Sequence, residues 1–342
     1  MKFVVLYTPA PPGAPPEEVD GVIQMEAISK TLQALGHTTE AVPCVLDLAQ
    51  VRDVLTHIRP DCVFNIVEAI DGHDRLLYLA PALLEGMGIP FTGAGVNAMM
   101  LSTGKLVAKR IIRGVGLPTA DWMDLSSYGR CPLCRGDMVI FKSAWDHGSS
   151  LMNDSDIKPF DDPATLKEQL KTRAKKPGQE WFVERYIEGR EFDIAMLAGP
   201  DGPQMLPAAE ILFVDYEKGK PKVVGYNAKW AEESFEYTHT PRTFDFGKED
   251  APIVEKVAKL ARDCWNLFGL VGYARVDFRV DAKGNPWILE VNANPCIAPD
   301  AGYAAALDRA GITYAQAIER IVNDAVGWGK QPPKKRRKSS KK

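Results

Sequence analysis

The stretch Ala274-Arg275-Val276-Asp277-Phe278-Arg279-Val280-Asp281-Ala282-Lys283-Gly284-Asn285-Pro286-Trp287-Ile288-Leu289-Glu290-Val291-Asn292 reads as two strands folded about Lys283-Gly284. With the turn centred between those two residues, Asp277 falls opposite Glu290 and Arg275 opposite Asn292, and side chains directly opposite in an antiparallel pair share a face. The other face then collects Val276, Phe278, Val280, Trp287, Leu289 and Val291. An amphipathic hairpin with one solvated face is the commoner structure. Asp and Asn are poor strand formers, however, so Asp277 and Asn292 need a compensating role. Three oxygen donors and a guanidinium backed by an apolar layer suit a hard divalent cation bound to a polyphosphate. Ala293-Asn294-Pro295 then ends the second strand just past the donors.

Upstream, Lys2 to Thr8 reads as a buried strand, followed by a helix with Val22, Met25, Ile28, Leu32 and Leu35 at helical spacing before Gly36. Asp61 to Glu68 is a second buried strand, Leu76 to Met87 a helix, and Ile89 to Thr92 a short strand. This alternation predicts a parallel sheet covered by helices, in which ligand groups gather at the carboxyl ends of strands, where Asn65 and Glu68 fall. One helix is expected from about Asn97 to Gly114, carrying Lys105, Lys109, Arg110 and Arg113. The pattern then turns towards strands at Met138–Lys142, Trp181–Ile187 and Arg190–Leu197. Helices are expected at Thr165–Lys175, Ala251–Phe268, Tyr303–Ala310 and Tyr314–Val326.

The chain has 342 residues, 45% apolar and 25% charged, with a formal net charge of −3. That length allows two or three structural units, and that charge gives no global attraction to nucleic acid or membrane. No apolar run approaches the roughly 18 residues needed to span a bilayer, and Met1 to Tyr7 is too short an apolar stretch for a secretory signal, so a cytoplasmic protein is expected. Six scattered cysteines resemble reduced intracellular thiols. Cys131-Pro132-Leu133-Cys134 has the spacing of half a zinc knuckle but lacks a second nearby pair, which favours two free thiols. The basic end, Pro333-Lys334-Lys335-Arg336-Arg337-Lys338, resembles a nuclear localisation signal. A like-charge block cannot fold alone, so a solvated terminus is expected; contact with nucleic acid or an acidic partner is the alternative, and only through this tail.

Lys142, at the end of a strand and followed by His147-Gly148-Ser149-Ser150, has the makings of a phosphate grip: an ammonium beside a small-residue loop whose N–H groups can approach oxygens. In order along the chain come Lys105, Lys142 with its loop, Glu184 and Glu191, Lys229, then Arg275, Asp277, Glu290 and Asn292. With Val63-Phe64-Asn65-Ile66-Val67-Glu68, Gly88-Ile89-Pro90-Phe91-Thr92-Gly93-Ala94-Gly95, Ser102-Thr103-Gly104-Lys105 and Glu184-Arg185-Tyr186-Ile187-Glu188-Gly189-Arg190-Glu191-Phe192, this order resembles the ATP-grasp superfamily, and specifically its D-alanine–D-alanine ligase branch, over roughly Asp61 to Val326.

The resemblance implies an α/β chain, α+β in its central and C-terminal parts, with the ATP-grasp fold behind an N-terminal Rossmann-like parallel-sheet domain. It implies boundaries at 1–101, 102–187 and 188–328, with 329–342 as the basic tail. It also implies an ATP-dependent carboxylate–amine ligase working through an acyl phosphate, with small-molecule acid and amine substrates, amino acids among them, and a homodimer. Lys105, Lys142, Ser149 and Ser150 would contact the ATP phosphates; Glu184 would take the adenine amino group, backbone at Arg185 and Ile187 the ring edge, and Glu191 the ribose. Asp277, Glu290 and Asn292 would coordinate two Mg²⁺ ions, or Mn²⁺, and Arg275 and Lys229 would act at the transferred phosphoryl group.

The chain departs from that branch where its substrates sit. In place of a Gly-rich turn with Ser and Glu it reads Thr8-Pro9-Ala10-Pro11-Pro12-Gly13-Ala14-Pro15-Pro16-Glu17-Glu18; Glu68 replaces a histidine; and Pro299-Asp300-Ala301-Gly302-Tyr303 stands where a serine is usual. Glu68, Asp300 and Ala301 are therefore the candidate substrate residues, and altered substrates are expected. A phosphotransferase that stops at a phosphorylated product, and a nucleotide-binding interaction protein acting through its basic tail, are the alternatives.

Overall fold

The computed structural model describes residues 1–126, 131–146, 152–175 and 179–327. Ser149, Ser150 and the basic tail lie outside the described residues. Three sheets organise the chain. The first is parallel, with Lys2–Tyr7 between Thr38–Pro43 and Cys62–Ile66. The strands Lys2–Tyr7 and Cys62–Ile66 are apolar runs buried along their length, as a sheet covered on both faces requires. Helix Pro16–Ala34 begins six residues earlier than its apolar pattern, because a proline at its first position supplies a preset φ and needs no donor. Strand Thr38–Pro43 and helix Leu48–Ile58 were not anticipated; the strand is largely exposed and lacks an apolar signature. Ile89–Thr92 is not a full strand: Phe91 makes a single parallel bridge to Val63.

The second sheet is antiparallel and four-stranded, in the order Trp122–Asp124, Trp181–Arg185, Met138–Ser143, Ile157–Pro159. The third runs Arg242–Thr243, Ala209–Ile211, Arg190–Leu197, Tyr273–Val280, Pro286–Asn292, with Gln204–Met205 pairing Arg190–Leu197. Helix Ala251–Phe268 packs on it, and Val257, Ala261, Cys264 and Phe268 meet Val276, Phe278, Val280, Ile288 and Val291 in one core. At about 1.5–3 kcal/mol for each large side chain removed from water, this layer holds the hairpin flat against its helix.

Two further expectations about local structure need correction. The helix expected from 97 to 114 is two helices, Val96–Thr103 and Lys105–Gly114, broken at Gly104, whose ψ of 98° is not helical. A Cβ at Gly104 would come within 2.9 Å of the Trp145 ring, so only glycine lets the indole lie against this joint. The break puts Lys105 in the first turn of a new helix. The hairpin register also changes part-way: Arg275 pairs Asn292, Val276 pairs Val291 and Asp277 pairs Glu290, but beyond a bulge Phe278 pairs Ile288 rather than Leu289. The Ile288 N–H donates to the Pro118 carbonyl at 2.9 Å. A one-residue slip exchanges faces. Ile288 thus enters the core, while Leu289 and Trp287, expected there, do not.

Candidate active site

A cleft of about 860 Å³, counting its open mouth, lies between the four-stranded sheet and the hairpin. It gathers Lys105, Lys142, Glu184, Arg185, Ile187, Glu191, Lys229, Asp277 and Glu290, residues that span most of the chain. Alternation along Trp181–Arg185 and Met138–Ser143 aims Glu184 and Lys142 at the same side, and Lys142 Nζ lies 2.7 Å from Glu184 Oε1. Lys105 Nζ reaches the Asp146 carbonyl and stands 3.6 Å from Glu290 Oε2. The roof comes from Met152, Lys222, Val223 and Val224, with Lys229 on the short helix Tyr226–Trp230.

Across the cleft, Arg275 grips Asp277 through two parallel bonds, Nε–Oδ1 at 2.7 Å and Nη2–Oδ2 at 2.8 Å, the fork geometry that makes Arg–carboxylate pairs strong. Burial pushes the Asp277 carboxyl well above its usual range; Arg275 pulls it back, and Asp193 and Glu290 push it up further. Asp193, paired in register with Asp277 on the neighbouring strand, is raised by burial too, with Arg275 opposing. Asn292 Oδ1 accepts the Asn294 N–H at 2.9 Å.

Among the described residues no group of three or more His, Cys, Asp and Glu side chains is disposed to hold a metal ion. The donors present are two carboxylates and one amide, Asp277, Glu290 and Asn292, all hard oxygens. Burial and the neighbouring carboxylates act on Asp277 even with Arg275 bound to it, and that donor set would suit a hard divalent cation such as Mg²⁺ that keeps open positions rather than a closed protein cage. An ion at Asp277 would compete with Arg275 for the same oxygens.

Two residues bonded to the cleft walls, Arg279 and Lys109, have no site role in the sequence reading. Arg279 donates to the Ile187 carbonyl at 3.0 Å and to Glu191 Oε2 at 3.0 Å, which joins the two walls. Its position two residues beyond Asp277 on one strand places it on the same face, a signal the sequence did contain. Lys109, whose side chain is only 2% exposed, binds Glu184 Oε2 at 2.6 Å and Thr119 Oγ1 at 2.8 Å. Nothing in its spacing separates it from a surface lysine.

The candidate substrate residues form a separate group. Glu68 accepts from Gln24 Nε2 at 3.2 Å, and its backbone N–H donates to Thr8 Oγ1 at 2.9 Å. Gln24 Oε1 in turn accepts the Ile297 N–H at 2.9 Å. Burial, then the charge of Asp20, pushes the Glu68 carboxyl up to about 8, with Gln24 opposing and Asp74 adding. Asp20 is itself raised, by burial first, lowered by a bond to Cys296 and raised again by Asp300. Glu68 and Asp300 are thus linked through Asp20 and Cys296, while Ala301 caps helix Gly302–Arg309. From the Pro-rich segment, Glu17 Oε2 accepts the Tyr226 hydroxyl at 3.2 Å. The six cysteines are all free, and no helix of the described residues is long and apolar enough to cross a membrane.

Residues 140–323 match the family model for the D-ala D-ala ligase C-terminus, more than half of the chain. A D-alanine–D-alanine ligase of Methylococcus capsulatus is 32% identical over 302 residues, covering 87% of this chain and 88% of that protein. The chain belongs to the D-alanine–D-alanine ligase family. Another D-alanine–D-alanine ligase, from Synechococcus sp., is 29% identical across 92% of this chain and 91% of its own. The family fold is evident as well: the crystal structure of the Bacillus anthracis D-alanine–D-alanine ligase complexed with ATP superposes with a TM-score of 0.70 at 21% identity, over 95% of this chain and 97% of that one. The mixed sheets and the N-terminal parallel sheet are therefore those of an ATP-grasp ligase.

Proposed function

We propose that this D-alanine–D-alanine ligase family member joins a small carboxylic acid to an amine, with amino acids among its substrates and the cleft described above as its nucleotide site. It is an ATP-dependent, ADP-forming carboxylate–amine ligase. The observation that carries the nucleotide site is the facing of Lys105, Lys142 and Glu184 on one wall by Asp277 and Glu290 on the other. Amide formation in water is uphill, so the carboxylate is first phosphorylated and the amine then displaces phosphate.

In that scheme Lys105 and Lys142, with Ser149 and Ser150, bind the phosphates, Glu184 accepts the adenine amino hydrogen, backbone at Arg185 and Ile187 meets the ring edge, and Glu191 holds the ribose. Asp277, Glu290 and Asn292 would hold Mg²⁺, which when bound would supply charge neutralisation to the phosphates. Arg275 and Lys229 stabilise charge on the transferring group, and the Met152 and Lys222–Val224 roof limits water that would hydrolyse the acyl phosphate. We assign residues 1–101, 102–187 and 188–328 to the N-terminal, central and C-terminal units, and a homodimer as the working form. Substrates other than two D-alanines are supported by the acidic group of Asp20, Glu68 and Asp300, where Glu68 and Asp300 replace other residue types.

The test is ADP release across D- and L-amino acids and small acids, with hydroxylamine to trap an acyl phosphate. Release that requires an acid together with an amine or hydroxylamine, and yields hydroxamate, is expected. Release with one substrate alone and a stable phosphorylated product would make the protein a phosphotransferase. ATP binding without turnover on any pair would favour an interaction protein.

A further inference from the structure

Glu184 is held by two lysines of different kinds. Lys142 reaches Oε1 at 2.7 Å from the cleft wall, with 17% of its side chain exposed. Lys109 reaches Oε2 at 2.6 Å from inside the protein, with 2% exposed. An ammonium so deeply buried is costly unless its donors are met, and here each is placed. One donates to Glu184, one to Thr119 Oγ1 at 2.8 Å, and the amine lies 5.3 Å from the Trp122 ring centroid. Thr119 Oγ1 is pinned in turn, since it donates to the Ile288 carbonyl at 3.1 Å, at the hairpin bulge. Helix Lys105–Gly114, the segment before strand Trp122–Asp124 and the hairpin therefore all fix the position of this one amine.

We infer that Lys109 is a positioning residue for base selection: it anchors the Glu184 carboxylate as an acceptor for the adenine amino group, so that Lys142 can leave Glu184 and follow the phosphates. This rests on the nucleotide site proposed above. Each carboxylate oxygen has a second lone pair, so Glu184 can accept from a base while Lys109 stays in place. Were Lys142 the sole counter-ion, its departure would strand a buried negative charge. Burial by itself would raise the Glu184 carboxyl, and the two lysines reverse that, lowering it to about 2. A base with a carbonyl at the corresponding position would set oxygen against a fixed carboxylate, so Lys109 also sets discrimination against oxo-purines.

The experiment compares binding of ATP and of purine riboside triphosphate, which lacks the amino group, to the full chain by calorimetry, in wild type, Lys109→Met and Thr119→Val. Wild type is expected to prefer ATP by about tenfold or more, as for a hydrogen bond to a charged acceptor. Lys109→Met should bring that preference to within about threefold while binding purine riboside triphosphate nearly as before, and Thr119→Val, which keeps the charge but loosens its anchor, should fall between. Equal loss of affinity for both nucleotides in Lys109→Met would mark a merely structural lysine and overturn the proposal, as would an unchanged preference. Should Lys109→Met not fold, Thr119→Val decides: an unchanged preference there overturns it. A wild type that binds nucleotide without preferring ATP, or binds none, overturns the Glu184 reading beneath it.

Discussion

Replacing Glu68 with glutamine should make the protein more stable in base and leave it unchanged in acid. The Glu68 carboxyl, raised by burial and by Asp20 to about 8 from 4.5, keeps its proton in the folded state over a pH range where the unfolded chain has lost it. For a group whose folded-state pKa is raised above the unfolded value, stability is intact below the unfolded pKa and declines as pH climbs to the folded one. The window is therefore about pH 4.5 to 8. At about 1.4 kcal/mol per unit the shift bounds the cost at about 5 kcal/mol, and the partial exposure of Glu68 brings the expected figure nearer 2 kcal/mol. Glutamine keeps the shape and an acceptor for Gln24 Nε2 but carries no charge. Urea unfolding of wild type and Glu68→Gln at half-unit steps from pH 4.5 to 9 gives the two curves. They should coincide near pH 4.5 and diverge by about 2 kcal/mol at pH 9, with the variant the more stable. Parallel curves would refute the reasoning and place Glu68 in water.

Three further outcomes are expected. Asp277→Ala and Glu290→Ala should each lower ligation by about a hundredfold or more with unchanged circular dichroism; near-normal turnover in either would remove that residue from the metal set. Gly189→Ala should cost more than about 3 kcal/mol in urea unfolding, because Gly189 has φ of +151° and a Cβ there would sit 2.0 Å from the Val280 carbonyl oxygen; a loss below about 1 kcal/mol, or the gain of a Gly-to-Ala change at an unstrained position, would refute the clash. Deleting residues 330–342 should leave ADP release within about twofold of wild type if the like-charge tail is peripheral, as its composition predicts; a collapse of turnover would give the tail a part in catalysis.

Much of the site was legible because the residues concerned sit at the ends or on one face of regular elements. Alternation alone placed Asp277 opposite Glu290 and Arg275 opposite Asn292, and the structure has those pairs. The same rule failed at the very next position, Leu289, because the Ile288 peptide is drawn to Pro118 and its neighbour Thr119, contacts about 170 positions away in sequence that no local pattern reports. Helix Ala251–Phe268 was legible in its approximate bounds, and it has proline in its first turn and Gly269 in the left-handed conformation at its end. The break at Gly104 was not, since it depends on Trp145 lying against the joint.

By itself the sequence determined which chemistry the hairpin could carry: acidic and amide oxygens on one face, an apolar layer on the other, and an ordered series of lysines and glutamates that identifies an ATP-grasp ligase. Tertiary structure decided how those charges are balanced. Whether Lys109 is a solvated amine or the buried anchor of Glu184, and whether Glu68 is an ordinary carboxylate or one held protonated beside Asp20, depends on distances between elements far apart in the chain. Charge interactions follow separation and burial in space, and the spacing of residues along the chain records neither.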